Sequence, residues 1–457
     1  MSPEPQKKEK SQENNRSFRE ATPGDWRLLD AEIRASSAYA GALVEPGVLT
    51  AADRDAIDAG LKQIKTEYDD GTLDLADQDV FAAIETRLEQ IAGPVAGKLN
   101  AGRSRNEQVV TALRLWLLDE MESIGESAAA IQRVLIQQAE GHVATLMPGY
   151  THFQPAQVVS CAHWLLSYFW MLTRDQERLT GVIGRTSSCP LGSGSLAGTA
   201  YRIDRRALAH AIGFSQVTEN SMDAVGDSDF AAEFLFVASM LGVHLSRLAE
   251  DLILYSNPAL GFLTVDTRYT AGSVLTPHKR NPEAVELSRG KAGRLLGNLT
   301  GFMSTLKGLP STYNQDTQEN RQTLFDGVDT LTSMLEIMEG VIQTMTIHPD
   351  RMWNALDERI LASDLADYLV SRAVPYRDAY RIVERLVEKA DQSDRLISEM
   401  GLPDFQAESP AFDADVFAIF DYSRSAAQRG TVGGTASAAI RAQLRQANNW
   451  LLENGLA

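Results

Sequence analysis

Apolar residues recur at three- and four-residue spacing along five long segments of the 457-residue chain. The segments cover residues 107–138, 157–184, 229–256, 282–307 and 322–346, and none has a proline in its interior. This spacing is typical of helices with an apolar face, and each segment is about twice the length of a mean helix. Because no convincing strand-like alternation is found, the pattern predicts an all-α fold with a central bundle of long helices.

The length of the chain suits two or three domains rather than one core. Residues 1–20 are polar and lack the apolar stretch of a secretory signal, so they predict a disordered tail. We predict an N-terminal helical domain over residues 21–105, the central helical bundle over 106–355, and a C-terminal helical domain over 356–457. The long helices also favour an oligomer.

The composition excludes several kinds of partner. Asp and Glu outnumber Lys and Arg by 61 to 43, and the net charge of −18 argues against nucleic acid. Cys161 and Cys189 are the only cysteines, which indicates a cytoplasmic protein without a disulfide framework or a cysteine metal site. The apolar run 234–246 is shorter than the roughly 20 residues of a membrane span. It predicts a buried core helix, and we expect no membrane partner.

Residues 102–108 (GRSRNEQ) precede the first long helical segment. Arginine offers a planar bidentate fork to a carboxylate, and a helix N-terminus adds free N–H groups. Ser104, Arg105 and Asn106 are therefore candidate ligands of an anionic substrate. The same residues also fit an ordinary helix start, with Asn106 as the N-cap and Glu107 interacting favourably with the helix dipole.

Residues 148–157 (PGYTHFQPAQ) place a histidine between two turn-forming stretches. The pKa of histidine lies near neutrality, so His152 is a candidate for proton transfer. Taken alone, a histidine of this kind is more readily explained as an ordinary surface or core residue than as a catalytic one.

Residues 270–286 (TAGSVLTPHKRNPEAVE) combine a serine, a lysine and an asparagine within a short span after Gly272. A glycine here would give a mobile loop its backbone freedom. Ser273 offers a reactive hydroxyl, Lys279 a positive charge and Asn281 a neutral donor. Asn281 and Pro282 also fit a helix start.

These three segments together resemble the fumarase/aspartase superfamily, whose signature G-S-S-x-M-P-x-K-x-N-P is similar to residues 272–282. Further segments resemble argininosuccinate lyases, the family that includes the delta-crystallins, and the likeness runs from about residue 30 to 446. These segments are 221–224 (SMDA), 291–294 (KAGR), 305–314 (TLKGLPSTYN) and 433–436 (GGTA).

The resemblance implies a carbon–nitrogen lyase that releases fumarate from an N-succinyl amine, most simply argininosuccinate in arginine biosynthesis. It implies that Ser273 is the general base, that Lys279 lowers its pKa, and that Lys279 and Asn281 hold the carboxylate that gains charge. It also implies a His152–Glu286 pair that protonates the leaving nitrogen. Ligands of the succinyl part by matching position are Arg105, Asn106, Thr151, Tyr313, Gln318 and Arg321.

The family builds each site from three subunits of a homotetramer without a metal or organic cofactor, and we expect the same here. Some positions depart from the family pattern. Phe81, Ser228 and Asn320 stand for a histidine, an arginine and an aspartate; Glu107 stands for an aspartate, Val274 for the second signature serine, and residues 276–278 (TPH) for Met-Pro-Gln. Two alternatives follow: a lyase for a different N-succinyl amine in specialised metabolism, or a non-enzymatic tetramer like the lens crystallins.

Overall fold

A computed structural model of the chain describes residues 25–73 and 79–456. The predicted tail over residues 1–20 lies outside this range. Helices dominate the described part, and the all-α prediction is confirmed. The proposed boundaries of three domains stay a prediction.

The five longest helices match the five predicted segments, with bounds that differ by a few residues at most ends. The α-helices are α1 Leu29–Ala42, α2 Ala51–Asp69, α3 Val80–Ala92, α4 Arg105–Gly141, α5 Cys161–Thr186, α6 Arg205–Ile212, α7 Ser221–Gly226, α8 Asp229–Ser256, α9 Glu283–Leu306, α10 Thr317–Thr344, α11 Pro349–Asn354, α12 Ala362–Ser371, α13 Tyr376–Gln392, α14 Leu402–Glu408, α15 Tyr422–Gln428 and α16 Ser437–Glu453. Short 3₁₀ turns are Asp25–Leu28, Gly93–Asn100, Thr267–Tyr269, Glu358–Leu361, Ile397–Glu399 and Ala414–Ile419.

Short strands, which the sequence did not predict, form four pairs within the described residues. They are β1 Leu146–Thr151 with β2 Gln154–Ser160, β3 Ser188–Cys189 with β4 Gln216–Val217, β5 Leu263–Thr264 with β8 Thr346–Ile347, and β6 Ala271–Gly272 with β7 Arg280–Asn281. The prediction that residues 157–160 begin a helix is wrong, because they continue β2. The hairpin was not predicted because proline within a run argues against a strand, and prolines occur at positions 148 and 155.

The chain divides into two compact units, each built from three stretches. The three stretches of the first unit are the described residues up to 125 (25–73 and 79–125), 175–242 and 291–333, and those of the second are 126–174, 243–290 and 334–456. In the first unit Trp116 packs edge-on against Phe325, with ring centroids 4.8 Å apart. In the second, Leu369, Leu386 and Phe405 belong to one buried apolar cluster.

The apolar helix α8 is long enough to cross a membrane by length and composition alone. However, 67% of its most apolar 18-residue window is buried inside the protein. This burial is typical of a core helix, as the sequence predicts for residues 234–246.

A buried ion pair in the first unit holds the segment before α4. The guanidinium of Arg103 contacts the carboxylate of Glu32 at 2.6 Å, and the two side chains are 1% and 2% exposed. The guanidinium also lies over the ring of Tyr39, 5.5 Å from its centroid, and the Tyr39 hydroxyl donates to the carbonyl of Ala101. These contacts fix the backbone just before the candidate ligands Ser104, Arg105 and Asn106.

The C-terminal segment contacts the hairpin that carries His152. The backbone N–H of Ser160, at the end of β2, donates to Oγ1 of Thr435 at 2.8 Å. A side chain at Gly434 would meet the carbonyl oxygen of Arg429 at 2.2 Å, so only glycine fits there. This explains why residues 433–436 need small residues and a hydroxyl.

Replacing Glu32 with glutamine should lower the free energy of unfolding by about 3 kcal/mol or more, because Arg103 would keep a buried, unpaired charge. Urea unfolding followed by circular dichroism measures the change. The matched control is Asp119→Asn, which removes a carboxylate from an exposed pair with Arg34 and should change stability little. Equal losses in the two variants would contradict the importance of the buried pair.

Candidate functional site

Ser104 is the residue that caps helix α4, which begins at Arg105. Its Oγ accepts the backbone N–H of Asn106 at 3.3 Å, and Oε1 of Glu107 accepts the backbone N–H of Ser104 at 3.0 Å. This reciprocal arrangement resembles a capping box, except that the Ser104 hydroxyl accepts the second rather than the third N–H of the helix. Its signal in the sequence is Ser104 followed three residues later by Glu107. The prediction that Asn106 is the N-cap is therefore wrong, and its amide is free of that role.

The guanidinium of Arg105 lies over the ring of Phe81, 5.1 Å from its centroid. It also approaches the carboxylates of Asp79 and Glu85, at 3.5 and 3.3 Å. Phe81 is 2% exposed, so this departure from the family pattern packs against Arg105 rather than lining open space. A cation over an aromatic face is favourable.

Arg321 and Asn320 lie on the first turns of α10, and both are buried. Arg321 pairs with Asp25 at 2.9 Å, and burial raises the pKa of Asp25 even though the nearby guanidinium lowers it. The Asn320 amide approaches the carbonyl of Phe302. The charge of Arg321, a predicted substrate ligand, is thus already paired in the described chain.

Tyr313 and Gln318 flank the start of α10, and both are half-buried. Thr312, just before Tyr313, has a φ of +76°, which is strained for a β-branched residue. A side chain at Gly226 would meet the Thr312 carbonyl oxygen at 2.6 Å. The backbone before Tyr313 is therefore held against Gly226 in an uncommon conformation.

Ser228 lines a cleft of about 380 Å³ beside this strained segment. The lining is acidic, with Asp223, Asp227 and Asp229, and Asp227 accepts a hydrogen bond from the buried Arg114. Of the three departures that could contact the amine half of a substrate, Ser228 lines a cleft, whereas Phe81 and Asn320 are buried.

Thr151 and His152 lie at the tip of the β1–β2 hairpin, where both side chains are exposed. The two residues between the strands, His152 and Phe153, have φ of +55° and +58°. Two consecutive left-handed residues form the tight turn whose twist suits a hairpin. The backbone therefore presents His152 at an exposed tip.

Ser273 follows β6 in a loop closed by the pairing of β6 with β7. Its Oγ accepts the backbone N–H of Thr276 at 3.1 Å and lies 2.5 Å from the Thr276 hydroxyl. Val274 and Leu275, at the tip, are almost fully exposed. Gly272 pairs with Arg280 across the two strands. It does not have a positive φ, so this conformation does not use the backbone freedom that the sequence analysis expected of a glycine here.

The candidate residues of the second unit are not linked to one another by side-chain hydrogen bonds or ion pairs in the described chain. Within the described part of one chain, no hydrogen bond or ion pair links the side chains of Thr151, His152, Ser273, Lys279, Asn281 and Glu286. Lys279 and Glu286 are exposed, and the predicted His152–Glu286 pair is not formed inside a single chain. In the first unit, Ser104 and Asn106 are joined by a hydrogen bond.

Thr276 is a contact of Ser273 that the sequence analysis missed. Its signal is a hydroxyl three residues after a serine, because such residues often bond locally to the backbone. Two donors on the Ser273 oxygen would stabilise its ionised form and favour proton abstraction. Over residues 25–73 and 79–456, no group of three or more His, Cys, Asp or Glu could hold a metal ion.

Comparisons with known proteins agree with this architecture. The chain matches the family described as Lyase over residues 7–297 and the family described as Argininosuccinate lyase C-terminal over residues 359–427. It is 48% identical to an argininosuccinate lyase of Roseiflexus sp. (strain RS-1), over 94% of this chain and 95% of the relative. It is 46% identical to an argininosuccinate lyase of Roseiflexus castenholzii, over 96% of both chains.

Among solved structures, EDDS lyase in complex with formate superposes with a TM-score of 0.86 at 26% identity. The alignment covers 95% of this chain and 88% of that one. The fold is that of the fumarase/aspartase superfamily, and the protein is a carbon–nitrogen lyase. Within that superfamily, the chain belongs to the argininosuccinate lyase family. The non-enzymatic alternative is therefore not favoured.

Replacing Thr276 with valine should lower kcat about tenfold and leave KM unchanged, because hydrogen bonds to a charged oxygen contribute about 1.5–3 kcal/mol. Steady-state kinetics measures both constants. Thr270→Val is the control, since the Thr270 hydroxyl bonds the carbonyl of Thr267 instead. Wild-type kcat in Thr276→Val would contradict a role for this contact.

Proposed function

We propose that this protein cleaves argininosuccinate to arginine and fumarate, as a cytoplasmic homotetramer in arginine biosynthesis. The observation that carries the proposal is the 48% identity to an argininosuccinate lyase over nearly the whole of both chains. The signature loop with Ser273, Lys279 and Asn281 supports the same reaction.

Ser273 is proposed as the base that removes a proton from the carbon next to a carboxylate of the succinyl part. Proton removal leaves a second negative charge on that carboxylate, and stabilisation must be aimed there. Lys279 and Asn281 would receive this charge. In the described conformation Ser273 bonds Thr276 rather than Lys279.

The remaining part of the succinyl group would be held by Arg105, Asn106, Thr151, Tyr313, Gln318 and Arg321. Arg105 sits at a helix N-terminus on the aromatic ring of Phe81. Its guanidinium would exchange part of its contact with Asp79 and Glu85 for the substrate carboxylate. Arg321 would contribute only if its contact with Asp25 leaves part of the guanidinium fork available.

The leaving nitrogen takes a proton as its bond to carbon breaks, and we infer that His152 supplies it. Glu286 would hold the imidazole in one tautomer and stabilise its protonated form. In the described chain the two side chains are exposed and make no contact with each other. The proposed tetramer accounts for this, since the pair would form between residues of different subunits.

A lyase for a different N-succinyl amine is the competing function. The similarity to EDDS lyase and the serine at position 228 in an acidic cleft favour it. Against it, the other two departures, Phe81 and Asn320, are buried and pack against neighbouring residues. The two functions differ in the amine that is released.

Purified protein mixed with argininosuccinate should release fumarate, followed by its ultraviolet absorbance, with kcat/KM of about 10⁴ M⁻¹s⁻¹ or more. Ser273→Ala should lose at least about 10²-fold in kcat while KM changes little, because a base acts on the barrier. A wild-type protein that ignores argininosuccinate but cleaves another N-succinyl amine would replace the proposed substrate. A Ser273→Ala variant with more than about a tenth of wild-type kcat would exclude Ser273 as the base.

His152→Asn and Glu286→Gln should each lower kcat, and the double variant should be little worse than either single variant, because residues that act as a pair are not additive. Sedimentation should give a particle of about four times the 50.1 kDa chain for each protein. Glu283→Gln, one turn earlier on α9, is the matched control for Glu286. Fully additive losses would show that His152 and Glu286 do not touch.

A further inference from the structure

The glycine-rich loop 191–198 (LGSGSLAG) is a feature that the proposed reaction does not use. It lies against the start of α4, beside the proposed carboxylate ligands. The Ser195 hydroxyl is 3.1 Å from the Ser104 hydroxyl, and the Asn106 amide approaches the Ser195 carbonyl at 3.4 Å. The Ser195 hydroxyl is the donor of the bond to Ser104, and Ser195 is exposed, so a ligand can reach its oxygen.

Glu107 is the residue that joins this loop to the helix. Its Oε2 accepts the backbone N–H of Gly192 at 2.7 Å and of Gly194 at 2.9 Å, while Oε1 accepts that of Ser104 at 3.0 Å. The side chain is fully buried. One carboxylate thus satisfies three N–H donors and links the capping serine to the glycine-rich loop.

The loop can direct two N–H groups at one oxygen only because its backbone is left-handed at Gly192, Gly194 and Gly198, with φ of +95°, +60° and +84°. L-residues with side chains rarely adopt such angles. A side chain at Gly194 would also meet the Gly198 carbonyl oxygen at 2.6 Å. The two bonds from Gly192 and Gly194 to Glu107 therefore require glycine at these positions, and the loop conformation is in turn held by Glu107.

The charge of Glu107 does not face the exposed side of this cluster. Burial raises the pKa of Glu107, although its three N–H donors and the nearby Arg103 lower it. The exposed side carries the hydroxyls of Ser104 and Ser195 and the amide of Asn106. In the structure the Ser195 hydroxyl donates to that of Ser104. A hydroxyl both donates and accepts, so the Ser195 O–H can turn to a ligand oxygen while Ser104 donates to Ser195 in its place.

We propose that Ser195 is a further ligand of the substrate carboxylate held by Arg105 and Asn106, and that Glu107 is the positioning residue that keeps it there. The inference rests on the proposed function. It adds a hydroxyl donor to the carboxylate that does not gain charge in the reaction. Such a contact contributes equally to substrate and transition state, so its loss raises KM rather than lowering kcat.

Ser195→Ala should raise KM for argininosuccinate about tenfold, the size of a lost hydrogen bond to a charged group, with kcat within about twofold of wild type. Because Ser195 is exposed, the melting temperature of the variant should match that of wild type. Ser215→Ala is the matched control and should keep the wild-type KM, since Ser215 is an exposed serine of the same unit whose hydroxyl donates to the carbonyl of Ser187 instead. A wild-type KM in Ser195→Ala would overturn the proposal.

Glu107→Gln tests the positioning role. The NH₂ group of glutamine cannot accept a hydrogen bond, so the side chain cannot accept hydrogen bonds from all three N–H groups. The substitution should raise KM by a similar factor in wild type but by much less in the Ser195→Ala background, because the loop then has no hydroxyl to position. If the factor by which KM rises in the double variant equals the product of the factors in the two single variants, the role of Glu107 is overturned. If Glu107→Gln fails to fold, the Ser195→Ala result still decides the ligand assignment.

Fumarate affinity, measured by isothermal titration calorimetry on the intact protein, separates this proposal from the proposed function. It reports the carboxylate site without turnover. Weaker fumarate binding in Ser195→Ala, in a protein that does not cleave argininosuccinate, would support Ser195 while refuting the substrate. If Ser195→Ala binds fumarate as tightly as wild type and the wild-type protein cleaves argininosuccinate, the proposed substrate is supported and the role of Ser195 is refuted.

Discussion

Backbone N–H groups at the start of each α-helix have no partner within the helix, and the residues that satisfy them organise the part of this chain that holds the candidate site. At α4 the partners are Ser104 and the buried Glu107, which also accepts two N–H groups from the glycine-rich loop. At α7, Oδ1 of Asn220 accepts the N–H groups of Met222 and Asp223. Residues that complete a helix end thus also hold the connections in place.

This constraint explains why the candidate residues occur on short connections rather than along the helices. A connection close to a helix end is ordered by hydrogen bonds, yet its other side chains remain free to bind a ligand. The hairpin tip with His152 and the loop with Ser273 are ordered in a similar way, by paired strands instead of a helix cap. Each presents one candidate side chain beside a pair of hydrogen-bonded strands.

The departures from the family pattern acquire different meanings once their surroundings are known. Phe81 is buried and its ring packs against Arg105, and Asn320 is buried near the carbonyl of Phe302. Ser228 instead lines an acidic cleft. The loss of a charged residue at Ser228 therefore lies in an open cleft, whereas the phenyl ring at position 81 supports Arg105, which we propose as a ligand.

The sequence alone determined the helical class, the five long helices and the family, because a repeat of about 3.6 residues and motifs at set spacing are local properties. The reciprocal cap formed by Ser104 and Glu107 was also visible in the sequence, although we assigned the cap to Asn106. The tertiary structure decided what spacing cannot encode. It formed the β1–β2 hairpin despite its prolines, buried Arg321 against Asp25 and brought Gly192 and Gly194 to Glu107 from some 85 residues away. Such contacts join distant segments, so they depend on how the whole chain packs rather than on any local pattern.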